Sequence, residues 1–463
     1  MKPFINRVRE VAYLDRILAS AKAELVLLYG RRRVGKTALL RHVAGRSEFP
    51  VLYHVAAQTT RTDELNRFSL RLAESFRDEV VRTQPFSNWE SVWLYLAQKA
   101  EAKPFGLMLD EFSYAVEGDP ALPSLLQHTW DQRLQHTGIK LVLCGSSISM
   151  MERLGLSESS PLYGRRTGQW RLEPFGPDEF GLLWPGRNLA DTLAAYCVAG
   201  GTPQYIGLFD RNRSLLDNIR DQALSKGSAL YDEVSFLLRE ELRDPRVYQA
   251  IMAVVAGGAR KFSELSSKTG LDKAHLTRYL AVLADLGLME REVPVTEPQP
   301  EKSRRGLYRI RDPFVSFWYR FVFPNRDRLE LGETDGFLKQ AVAPALDDYT
   351  ARVVAPYVGA LFRTRWRRHI PFEPAFAGRY WDEHRELDWL VLDHDRKQAT
   401  AVEVKWTRSP VNAGSVAAEL ASKVAAVPAL RECRVKRILV SRAGFRGDAR
   451  VAGCALIALN AEI

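Results

Sequence analysis

The segment Gly30-Arg31-Arg32-Arg33-Val34-Gly35-Lys36-Thr37 constrains this chain more than any other. An apolar, β-leaning run, Leu25-Val26-Leu27-Leu28-Tyr29, precedes it, and a helical pattern follows from Ala38. Strand, glycine-framed loop and helix, in that order, are what a P-loop requires. Gly30 and Gly35 let the backbone curl, so that N–H groups between residue 30 and Ala38 point at phosphate oxygens near the positive end of the next helix. Arg31, Arg32, Arg33 and Val34 fall inside that cradle. Lys36 would reach the β- and γ-phosphates, and Thr37 would offer its hydroxyl to Mg2+. The segment therefore predicts a nucleoside triphosphate site.

A length of 463 residues predicts about three domains, each able to bury its own core. No apolar run approaches the ~20 residues needed to cross a bilayer, and the N-terminus lacks the apolar core of a signal peptide. The four cysteines, Cys144, Cys197, Cys433 and Cys454, stand far apart, which fits neither a zinc site nor a disulfide framework. A cytoplasmic protein without a membrane segment is expected. The formal net charge of +10 and the isoelectric point near 9.4 suit a polyanionic partner.

A second strand that ends in acid should accompany the loop. Phe105-Gly-Leu-Met-Leu-Asp110-Glu111 supplies it. Asp110 is placed to hold the Mg2+ shell, and Glu111, one residue on, to polarise the water that attacks the γ-phosphate. A third strand, Ile139 to Gly145, ends at Ser146 and Ser147. Either serine contacts the γ-phosphate or the attacking water, or it caps the next helix. Beyond lie Arg165 and Arg166 in a turn-rich stretch. They are either stabilisers of the transferring phosphoryl group or surface arginines. Between Gln58 and Lys103 the pattern is helical, with Trp89, Trp93 and Leu94 expected on one buried face.

The succession Gly30 to Thr37, Leu109-Asp110-Glu111-Phe112, Gly145-Ser146-Ser147, Pro161-Leu-Tyr-Gly-Arg165-Arg166 and Gly200-Gly201-Thr-Pro203 resembles the archaeal and bacterial STAND-type ATPase family, within the AAA+-like P-loop class. That resemblance implies ATP as the nucleotide, an ATP-driven switch, and a glycine-x-proline element (Gly201, Pro203) near a helical lid. It also implies that Arg165 or Arg166 is the arginine finger. A finger acting between subunits would require a homo-oligomer.

After a helical connection, Tyr248 to Glu290 reads as three short helices with a glycine turn before the third, the pattern of a helix-turn-helix. Asp272 would cap the third helix, with Leu276, Leu280 and Leu283 inward. Lys273, His275, Thr277 and Arg278 would face outward, where DNA contacts are made. Two β-leaning runs framing Lys302, Arg304 and Arg305 complete a basic wing. Such modules contact DNA in some ATPases and serve as lids or docking modules in others.

Asp312 to Pro324 is an aromatic packing helix, a block that the resemblance extends through. Further on, Arg385 to Asp393 and Ala399 to Trp406 read as paired strands. Period-two alternation puts Glu403 and Lys405 on one face, so that Asp388, Glu403 and Lys405 can surround one point. This arrangement resembles the PD-(D/E)XK nuclease fold. In that fold two acids hold Mg2+ or Mn2+ against a phosphodiester, and an acid from a preceding helix, here Asp348 or Asp347, completes the set.

The expected architecture is α/β: a P-loop parallel sheet with a helical lid over 1–230, a winged helix over 231–310, and an aromatic helix with a nuclease-like domain over 311–463. The expected function is an ATP-hydrolysing switch that acts on DNA. An ATP-gated nuclease and a non-cleaving DNA-binding regulator are the alternatives.

Overall fold

The structure is a computed structural model and describes residues 4–155, 158, 160–242, 244–447 and 453–462. It divides into two compact units, Met1–Glu173 and Pro174–Ile463.

The first unit is built on five parallel strands, β1 (Glu24–Tyr29), β2 (Val51–Val55), β3 (Gly106–Asp110), β4 (Lys140–Gly145) and β5 (Gly168–Arg171), in the order β2-β3-β4-β1-β5. The runs around β1, β3 and β4 are apolar throughout because both faces of the sheet are covered. Alternation then sorts them. Val26, Leu28, Met108 and Val142 join Leu14, Leu39 and Leu40 on one side. Leu25, Leu27, Leu107 and Leu141 join Phe68, Trp93 and Leu126 on the other. Trp89 and Trp93 are buried as expected, but Leu94 is 39% exposed and does not share their face. It directly follows Trp93 on the helix Trp89–Ala102, and adjacent helical residues point about 100° apart.

The second unit begins at Pro174. Helices Pro177–Leu183 and Leu189–Ala199, assigned above to the nucleotide domain, share one apolar core with Trp318, Tyr349 and Tyr357. The hydroxyl of Tyr349 donates to the carbonyl of Cys197 at 3.1 Å. The aromatic segment 312–324 is the packing element that joins these helices to the rest of the unit.

Helices Arg246–Ala256, Phe262–Thr269 and Lys273–Asp285 follow, then an antiparallel hairpin of β6 (Met289–Glu292) and β7 (Leu307–Ile310). The Asp272 side chain accepts the His275 N–H at 3.0 Å, which caps the third helix as expected. Leu276, Leu280 and Leu283 are buried.

The C-terminal sheet has the order β14-β12-β10-β9-β8, from β8 (Phe376–Trp381), β9 (Glu386–Leu392), β10 (Gln398–Lys405), β12 (Arg434–Ser441) and β14 (Cys454–Ala458). The two-residue strands β11 (Val411–Asn412) and β13 (Phe445–Arg446) pair beside it. β9 runs antiparallel to both β8 and β10, whereas β12 runs parallel to β10 and β14 parallel to β12. The helix Ala413–Ala425 packs its Leu420 and Val424 on the Ala399 and Ala401 face. The hairpin connection leans on the outer strand: Val295 N–H donates to Arg379 O at 2.9 Å, and Arg379 Nη1 donates to Glu292 at 2.9 Å.

Candidate nucleotide site

β1 ends at Tyr29, and the chain turns at Gly30 into the helix Lys36–Arg46. A side chain at Gly30 would place its Cβ 2.3 Å from the carbonyl oxygen of Leu172, so only glycine passes there. Gly35 holds φ 99° as the residue capping the helix, a backbone state that L side chains resist. The loop is braced from below, where Arg7 Nη2 donates to Val34 O at 2.9 Å. Lys36, buried at 5% exposure, folds back along the loop and donates to the carbonyls of Gly30 at 2.8 Å and Arg31 at 3.0 Å. Arg32 donates to the hydroxyl of Tyr114 at 2.7 Å, and Arg33 takes a left-handed φ of 68°.

β3 delivers Asp110 to the loop even though β4 lies between β3 and β1. Asp110 is fully buried, and its Oδ2 accepts from the Thr37 hydroxyl at 2.7 Å and from the Tyr53 hydroxyl at 2.8 Å. Its Oδ1 accepts the N–H of Glu111 at 3.0 Å. Burial and the neighbouring Asp110 carboxylate push the Tyr53 phenol far above its ordinary pKa, so it stays a donor. The sequence reading missed Tyr53, whose tyrosine is unremarkable in an edge strand. Only the register Val55↔Asp110 between β2 and β3 brings it near.

Glu111 departs from a simple strand end. It takes φ 53° and ψ 38°, which swings its side chain out of the alternation expected of β3. Ser146 Oγ, at the tip of β4, donates to Glu111 Oε2 at 2.7 Å. The buried Ser146 thus stands against Glu111.

Arg165 is placed away from the loop. Arg165 grips Asp131 through Nε at 2.7 Å and Nη2 at 2.7 Å. It lines a cavity of about 540 Å³ with Lys22, Trp130 and Thr167, at the edge of the sheet where β1 begins. The P-loop lies at the other end of β1, about 20 Å away for a six-residue strand. Arg166 donates to the carbonyl of Gly155 and lies over the Tyr163 ring. Within its own chain Arg165 therefore stands at the end of the sheet away from the loop.

In the second unit, Lys273, His275 and Arg278 are exposed on the third helix, and Arg304 and Arg305 on the hairpin connection. Arg305 pairs with Glu297, and His275 Nδ1 sits 2.5 Å from Asp272. Asp388 on β9 accepts the N–H of Val404 at 2.7 Å, so it stands beside Glu403 and Lys405. Burial, then the Glu403 charge, raise its pKa to about 6. Asp348 does not join them. It is exposed, and the acid on its helix that turns to the sheet is Asp347, which bonds Arg408 and Arg442. Among the described residues no three His, Cys, Asp or Glu side chains gather as a metal cluster would.

A five-stranded parallel sheet with a glycine-framed phosphate loop and an acid at the tip of a nearby strand defines a P-loop ATPase domain. Residues 4–209 match the model of the ATPase domain predominantly from Archaea. Residues 318–416 match a second model, described as archaeal and bacterial proteins of unknown function. Protein MJECL04 of Methanocaldococcus jannaschii is 30% identical over 406 residues, 87% of each chain. The same organism's ATP-binding protein MJ0423 is 53% identical over 38 residues, 8% of this chain and 64% of that protein. The Walker-type ATPase PABY2304 of Pyrococcus abyssi shares the fold with a TM-score of 0.51 at 20% identity, over 68% of this chain and 96% of that one. This chain belongs to the same family as MJECL04, and its residues 4–209 carry an ATPase domain of the predominantly archaeal kind. No helix among the described residues is long and apolar enough to cross a membrane.

Proposed function

We propose that this protein is an ATP-hydrolysing molecular switch of the STAND type whose second unit acts on DNA. The observation that carries the reading is the meeting of Lys36, Thr37, Asp110 and Glu111 at the mouth of one phosphate loop. The hydroxyl of Thr37 and the carboxylate of Asp110 are hard oxygen donors in contact, a pairing that fits Mg2+. A bound Mg2+ would neutralise charge on the β- and γ-phosphates. Lys36 exchanges the two carbonyls it now holds for phosphate oxygens. Glu111 orients and deprotonates the attacking water, and the Ser146 hydroxyl holds that carboxylate in place.

Tyr53 positions Asp110. Its hydroxyl fixes the carboxylate that Thr37 also grips, so Tyr53→Phe should leave the fold intact. The same change should raise by several-fold the Mg2+ concentration needed for half-maximal binding of a fluorescent ATP analogue. An unchanged Mg2+ requirement would remove this role.

The three helices and hairpin of residues 246–310 read as a winged helix, and Lys273, His275, Arg278, Arg304 and Arg305 are its DNA-facing set. Their exposure and the chain's positive charge favour a phosphate backbone as partner. The C-terminal mixed sheet reads as a PD-(D/E)XK nuclease-like domain on the strength of its strand order and of Asp388, Glu403 and Lys405 at one place. Arg165 and Arg166 act, on this reading, across a subunit interface in an ATP-bound oligomer.

The deciding experiment measures ATP turnover with and without duplex DNA, alongside particle mass in ATP. DNA should stimulate turnover, and affinity should fall linearly on a log–log plot against salt. Arg278→Ala should lower that slope by about one. Absence of any salt-dependent DNA binding would overturn the DNA half of the proposal and leave the ATPase half standing.

A further inference from the structure

The face of β10 turned to the helix Ala413–Ala425 carries a closed ring of alternating charge. Glu403 is 4% exposed, and its Oε1 accepts from Lys405 Nζ at 2.9 Å and from Lys423 Nζ at 2.7 Å. Glu419, one turn before Lys423 on that helix, lies 3.0 Å from Lys423 and 3.5 Å from Lys405. The other oxygen, Glu403 Oε2, is buried and has no hydrogen-bond partner.

A divalent ion at a nuclease-like site needs hard oxygens with charge to spare. Here the central carboxylate already carries two ammonium groups. The acid of the preceding helix, Asp347, is held by Arg408 and Arg442. An ion on Glu403 Oε2 would face both ammonium charges within a few ångströms, in a poorly screened place. The residues present do not fit a divalent metal, and Lys423 is the reason. Nothing in the sequence pattern pointed to it, because it lies 20 residues beyond Glu403 on a helix that reads as ordinary.

We propose that Lys423 is a built-in counter-ion, standing on Glu403 where a divalent cation would otherwise bind, so that the C-terminal domain does not hydrolyse phosphodiesters. The proposal rests on the nuclease-like reading of that domain and makes it a module that engages its partner without cutting.

The test is a Mn2+ titration of the full chain without nucleotide, read by the electron paramagnetic resonance signal of free Mn2+. Leaving nucleotide out keeps a phosphate-bound ion off the P-loop. ATP turnover and DNA binding are scored separately, so failure of the proposed function is not confused with failure here. Wild type should show no Mn2+ site that Asp388→Asn removes. Lys423→Met should gain a Mn2+ site, and adding Asp388→Asn should abolish it. A wild-type Mn2+ site lost in Asp388→Asn would overturn the proposal, whatever the stability of the lysine variant. A folded Lys423→Met protein that gains no site, judged by circular dichroism and melting, would overturn it too.

Discussion

Lys36→Ala should weaken binding of a fluorescent ATP analogue by about two orders of magnitude or more, with little change in melting temperature. The two effects separate because of what Lys36 does in each state. Without nucleotide its ammonium group donates to the carbonyls of Gly30 and Arg31, which can turn to water when the lysine is gone. With nucleotide that ammonium, at the head of the helix Lys36–Arg46, is expected to turn to the β- and γ-phosphates. Backbone N–H groups of the loop remain in the variant and supply residual affinity. The loop itself should hold its shape, because Arg7 braces Val34 and glycine fills the tight passage beside Leu172. Wild-type affinity in Lys36→Ala would mean that the loop is not the phosphate site.

Glu111→Gln tests the chemistry rather than the grip. Binding should stay within a few-fold of wild type, while turnover falls by about 10²- to 10⁴-fold. Glutamine keeps the size of the side chain and an oxygen to accept the Ser146 hydroxyl, so the contact at 2.7 Å survives. The left-handed backbone at φ 53° costs the two residues nearly the same. What the variant loses is the negative charge proposed to orient and deprotonate water. Single-turnover hydrolysis measured at saturating ATP isolates that loss from product release. A variant that turns over ATP at the wild-type rate would transfer the role from Glu111 to another group. Ser146 and Tyr53 would not be candidates, since both act as donors to carboxylates here.

Much of the site was legible because its parts are local. The P-loop announces itself by two glycines at fixed distance from a lysine and a threonine, after a strand and before a helix. Asp110 was legible for a related reason: an apolar run buried on both faces can carry a carboxylate only where it leaves the core. The helix Lys273–Asp285 was legible through the cap at Asp272 and the leucines at helical spacing, both of which the structure places as expected.

Other features depended on chain segments far apart. Tyr53 reaches Asp110 across 57 residues, and Ser146 reaches Glu111 across 35. Neither pairing follows from spacing, because each depends on which strands lie side by side. The two arginines illustrate the converse. Their residue type and position after β4 suggested a role at the phosphates, yet a parallel sheet has two ends, and the turn that carries Arg165 opens at the end away from the loop. The division into compact units at Glu173 has a similar origin. Helices that follow β5 in sequence bury their apolar faces against aromatic residues more than 100 positions later.

From sequence alone came the elements whose conformation their own residues dictate: the phosphate loop, the acid-tipped strand, the capped third helix and the strand pair with Asp388, Glu403 and Lys405. Local dihedral preferences and a two- or 3.6-residue period suffice for these. Tertiary structure alone decided which carboxylates meet which donors: Asp110 with Tyr53, Glu111 with Ser146, and Glu403 with Lys423. Such meetings are set by strand order and by the close packing of helices on sheets, where a shift of one residue would turn each of these groups away.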